Sequence, residues 1–191
     1  MTWVDLMKFM HVLSFIFMSI PLFNLIVVNE RARLGTTMTY GVDRYMERLI
    51  GGMLLRCYAF QATVLASGLA LVFLLKLDLL SNWVLLTKFI LLLVIIGIHN
   101  YAYFALQRPI NGLLAKVNAD PVPQEIAARI RPLRVRRKQL AAFCLFIVLT
   151  IVLLGLQVYV PFNPVLTGAL IAAIALFAWR AYKSRMLYGW A

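Results

Sequence analysis

LAAFCLFIVLTIVLLGLQVYV, residues 140–160, carries no charge from end to end. A helix rises about 1.5 Å per residue, so roughly 20 apolar residues cover a hydrocarbon core of about 30 Å. This stretch is long enough to cross a bilayer and too apolar to be coated with water. Pro161-Phe162-Asn163-Pro164 follows it. Proline cannot continue the helix before it but readily begins the next one, so the run 165–179, closed by Arg180, reads as the returning arm of a hairpin.

Working back toward the amino terminus, residues 3–28, 50–75 and 83–106 have the same character, giving five crossings and an all-α membrane bundle. Composition agrees. With 63% hydrophobic and 14% charged residues, a chain of 191 residues cannot cover a water-soluble globule with polar surface. The net charge of +12 would suit nucleic acid only if a soluble basic domain carried it, and the apolar runs leave no room for one. Cys57 and Cys144 each sit inside an apolar stretch, with no pattern of a disulfide framework or zinc site, and read as packing residues. No basic region precedes the first apolar run and no small-residue cleavage site follows it, so that run is expected to remain as a helix.

The charge is explained by topology. Arg31, Arg33, Arg44 and Arg48 lie between the first two crossings. Arg108, Lys116, Arg129, Arg131, Arg134, Arg136, Arg137 and Lys138 lie between the third and fourth, and Arg180, Lys183 and Arg185 in the tail. With Arg56 at the membrane edge, they leave only Lys8, Lys76 and Lys88 elsewhere. Basic loops face the cytoplasm, which places the amino terminus outside and the carboxyl terminus inside; the expected location is a bacterial cytoplasmic membrane. The connection 107–139 holds Pro109, Pro121, Pro123 and Pro132 and reads as short interfacial helical pieces. Its run from Arg134 to Lys138 is basic enough to meet an anionic lipid or an acidic partner. Residues 1–160 form the main bundle and 161–191 the fifth helix and basic tail.

Ionisable groups at membrane depth are costly and therefore candidates for function. His11 lies on the first helix, Arg56 on the second, and Lys88 and His99 on the third. Eleven residues separate Lys88 from His99, about three turns, so both project from one face and sit roughly 16 Å apart along the axis. His11 and Lys88 come out level near the outer edge, and His99 lies roughly 15 Å deeper. One haem held by both histidines needs each ring nitrogen about 2 Å from the iron, which that offset forbids. Two polar levels are expected instead: His11 with Lys88, and His99 with Arg56, where Met18 or Met53 could supply a thioether. Tyr101, Tyr103, Trp3 and Trp83 suit aromatic belts, and Asn24, Gln61 and Ser67 suit interhelical hydrogen bonds.

Trp3-Val4 and Lys8-Phe9-Met10-His11-Val12-Leu13, then Glu47-Arg48-Leu49, then Trp83, Lys88-Phe89 and His99, together resemble HemJ-type protoporphyrinogen oxidases and their copper-resistance-D-like relatives over residues 1–160. The resemblance implies haem b binding and oxidation of protoporphyrinogen IX. It carries over His11 as a ligand or essential polar residue, Lys88 as its partner, and His99 as a second candidate ligand. The fifth helix, the long basic loop and Pro21 depart from that pattern. Three functions follow as expectations: a haem b membrane redox protein, with Arg56 or Lys88 neutralising propionates; an accessory subunit or homo-oligomer packing against other membrane proteins; and a copper-handling protein using Met7, Met10 and Met18 around His11.

Overall fold

The computed structural model describes residues 2–29, 38–117, 120–158, 160 and 162–183. Arg31, Arg33, Pro161 and Arg185, used above for topology and the hairpin turn, lie outside the described residues. The chain forms α1 (Trp3–Asn29), α2 (Tyr40–Leu74) and α3 (Trp83–Tyr101). From α3 it continues through a π-helical turn (Ala102–Gln107) into α4 (Arg108–Leu114), followed by α5 (Gln124–Gln157) and α6 (Pro164–Tyr182). Taking α3, the π turn and α4 as one rod, five helices are long and apolar enough to cross a membrane. The described residues contain no strand.

Helices α1, α2, α3 and α5 make the bundle, and α6 lies against α5 and α1. Met18, Cys57, Val64, Leu92, Ile95, Ile147, Val148 and Ile151, drawn from all four, form its core. Antiparallel register between α1 and α2 is fixed by polar contacts: His11 meets Val64, Met18 meets Cys57, and Asn24 meets Met53. The α5–α6 hairpin forms at the expected turn. Asn163 accepts the Val165 N–H at 2.8 Å and so caps α6, and Gln157 Nε2 donates to Thr167 Oγ1 at 2.8 Å.

Buried positions repeat at heptad spacing. On α2 they are Asp43, Glu47, Ile50, Leu54, Cys57, Gln61, Val64 and Ser67. On α5 the stripe runs through Ile130, Arg134, Arg137, Ala141, Cys144, Val148 and Ile151, with Leu145, Ile147, Leu153 and Leu154 buried beside it. Such stripes are what packed helices turn toward each other. Here both run past the apolar part of the helix into charged sequence.

The connection between the third and fourth crossings differs from expectation. Instead of short interfacial pieces over 107–139, the third rod runs to Leu114 and α5 starts at Gln124, leaving only 115–123 as linker. Neither Pro109 nor Pro132 ends a helix. Pro109, which has no N–H to return to the Ala105 carbonyl, stands two residues past the end of the π turn, where the ladder has just been widened. Pro132 lies inside α5. Ile110, Leu114 and Ile130 bury one another beyond it and hold the extensions together.

Candidate functional site

Three polar layers lie along the bundle between the Lys88 level and the basic end. His11 is half-buried between α1 and α2. Its Nδ1 lies 3.1 Å from the Val64 carbonyl oxygen and 3.1 Å from Ser67 Oγ. A carbonyl can only accept, so Nδ1 carries the proton, and in the neutral ring Nε2 keeps its lone pair. Ser67 Oγ donates to Thr63 O at 2.6 Å and is thereby oriented to accept from the imidazole. The ring can lie this close to α2 because residue 68 is glycine: a Cβ there would stand 3.1 Å from His11 Cε1. Lys88 is near enough to act on His11 electrostatically, and a Cβ on Gly155 would lie 3.7 Å from its Nζ. Among the described residues no carboxylate forms an ion pair with Lys88.

His99, further along, is 7% exposed and differently engaged. Its Nε2 donates to the Leu54 carbonyl at 2.9 Å, leaving Nδ1 as the acceptor of the neutral ring, and Tyr58 packs edge-on against it at 4.5 Å between ring centres. Tyr58 itself donates to Asn100 Oδ1 at 3.0 Å. A cavity of about 60 Å³ adjoins His99, lined among others by Met18, Cys57, Gln61, Cys144 and Arg137. His11 and Lys88 are thus brought together, as are His99 and Met18. Arg56 joins neither pair: it is exposed on α2, one residue off the buried stripe, so the proposed role beside His99 or at a propionate is not the one its position gives it.

The third layer escaped sequence reasoning. Arg134 Nε meets Glu47 Oε1 at 2.8 Å and its Nη1 meets Asp43 Oδ1 at 3.0 Å. Arg137 Nη1 meets Glu47 Oε2 at 2.5 Å and Gln107 Oε1 at 2.6 Å, while its Nη2 meets Glu47 Oε1 at 3.1 Å. Gln107 Nε2 donates to Glu47 Oε2 at 2.9 Å and to Asn111 Oδ1 at 3.0 Å. The π turn supplies Gln107: its extra residue turns both Leu106 and Gln107 inward, at 2% and 0% exposure. The four charged side chains are all buried and cancel. This corrects the reading of Arg134–Lys138 as an outward basic run, since Arg134 and Arg137 point into the bundle and leave Arg136, exposed over the Tyr101 ring, to face outward. The signal was available: Asp43 and Glu47 continue the α2 stripe, and Arg134 and Arg137 continue the α5 stripe.

Haem b can be tested against these geometries. His11 has the tautomer of an imidazole ligand, with Nδ1–H held by a backbone carbonyl and Nε2 left for a metal. His99 does not fit as a second ligand through Nε2, which is taken by Leu54. A cavity of about 60 Å³ is also far below the roughly 300–1,000 Å³ of sites for organic ligands. The methionines do not converge on His11, because Met10 is exposed on α1 while Met18 is buried one level deeper. Among the described residues no three of His, Cys, Asp and Glu form a metal-binding group.

Fold and surface together define an integral membrane protein, an all-helical bundle whose outer faces carry exposed Phe, Leu, Ile and Val side chains where lipid would lie. Comparison with protein-family models, curated proteins and solved structures returns no match.

Proposed function

We propose that this chain is a haem b-associated membrane redox protein of the kind its motifs resemble, with His11 as axial ligand and Lys88 as the cation for a propionate. The observation that carries this reading is the His11 tautomer, held by Val64 and Ser67, beside a lysine that among the described residues pairs with no carboxylate. Haem bound there would supply one-electron redox chemistry. The chain's own contribution is to orient the imidazole, raise its basicity through the Nδ1–H bond, and offset anionic charge in a medium of low dielectric. His99 has a different task in this reading: its bond to Leu54 and its contact with Tyr58 tie α3 to α2. The basic end faces the cytoplasm by the charge rule.

The test is an absorption spectrum of detergent-purified protein, oxidised and dithionite-reduced, for the parent chain and for His11→Ala and His99→Ala. A Soret band is expected in the parent, lost in His11→Ala and retained in His99→Ala. A parent preparation with no Soret band and no pyridine haemochrome would remove the proposal, and loss of the band only in His99→Ala would reverse the assignment.

A further inference from the structure

Gln61 stands in the middle of the α2 stripe, between Cys57 and Val64, and is 3% exposed. Among the described residues neither its Nε2 nor its Oε1 has a hydrogen-bond partner. Leaving both ends of an amide unsatisfied inside a membrane bundle is among the costlier things a core can do, because no bulk solvent compensates for the loss. Leu, Met or Ile would fill the same position without that cost. The side chain lines the cavity of about 60 Å³ that also touches His99 and Arg137.

The size of the space selects its occupant. One water takes about 30 Å³ in the liquid, so the cavity holds about two, whereas a macrocycle or any drug-sized molecule needs several times more. Polarity selects it again. A cavity walled only by Leu, Ile, Met and Val stays dry, but a water needs two to four polar partners, and this wall offers several. Gln61 Nε2 can donate and Gln61 Oε1 can accept, and His99 and Arg137 line the same space.

We propose that this cavity is a built hydration site holding about two water molecules on the Gln61 amide. It is independent of haem, since it needs neither His11 nor Lys88.

The deciding measurement is a density map of the full chain in a lipid nanodisc at a resolution that shows ordered water. Peaks within about 3 Å of Gln61 Nε2 and Oε1 are expected. A map with no peak bonded to that amide, or with a non-water molecule in the cavity, overturns the site. A second reading comes from Gln61→Met, an apolar replacement of similar length. If waters satisfy the amide, removing it strands them and Tm falls by about 2–5 °C; an unchanged or raised Tm means the amide was orphaned and dry, and the proposal fails.

Discussion

At the basic end of the bundle two carboxylates face two guanidinium groups at 2.5–3.1 Å, with Gln107 and Asn111 completing the contacts. At the level of His11, Lys88 lies beside Gly155 and near the imidazole, which in turn lies against Gly68. Both layers bury polar groups between helices, yet the first pairs its charges with one another, whereas Lys88 pairs with no carboxylate among the described residues. A closed, neutral lattice is a fastener: Arg134 and Arg137 of α5 are tied to Asp43 and Glu47 of α2, so opening it would leave charges unpaired inside the bundle. An open cation beside a neutral ring has capacity left for something from outside the chain. The difference lies in charge pairing and not in burial, since the more buried layer is the one whose charges are paired.

The largest effect should come from breaking the closed layer. Glu47→Ala strands two buried arginines and is expected to cost about 3–5 kcal/mol, a fall in Tm of roughly 10 °C in detergent. Lys88→Met removes no ion pair and should leave Tm within a few degrees of the parent. Equal losses for the two would erase the distinction. Next in size is Gly68→Ala, whose methyl group would meet His11 Cε1 at 3.1 Å. Crowding of this kind costs about 1–3 kcal/mol, and the displaced ring should change any Soret band more than it changes far-ultraviolet circular dichroism.

A smaller change tests the outward arginine. Arg136 is exposed over the Tyr101 ring at 5.3 Å. Arg136→Ala should therefore cost only about 0.5–1 kcal/mol by thermal melting, against a much larger loss for the inward Arg137→Ala. Smallest of all is the turn before α3. The Ser81 hydroxyl, then the Leu80 and Ser81 N–H groups, hold the Asp78 carboxyl below its ordinary 3.8. Its contribution is therefore complete above that value and disappears as pH falls through the lower folded value, so an acid melt of Asp78→Asn should lack a small component seen in the parent.

Five crossings, the α5–α6 hairpin and the all-helical class were legible because they depend on local quantities: apolar length, proline placement and the rise of a helix. Helix ends were less so. The apolar run of α2 begins near residue 50, but the helix begins at Tyr40, and α5 extends back to Gln124 through Pro132. Hydropathy marks where lipid begins, whereas a helix continues for as long as its stripe finds a partner. The pairing of His11 with Lys88 could be anticipated from residue counts along two helices; the exposure of Arg56 could not, because one residue of rotation turns a side chain by about 100°.

The sequence by itself determined that this chain lives in lipid, crosses it five times and carries two histidines at membrane depth, since those follow from composition and spacing within single segments. Only the tertiary structure decided which nitrogen of each histidine is committed. It alone also decided that Arg134 and Arg137 neutralise Asp43 and Glu47 instead of facing outward. Those facts depend on groups some 30 to 91 positions apart meeting within about 3 Å. No property of one helix fixes such meetings until its neighbours have set its rotation and depth.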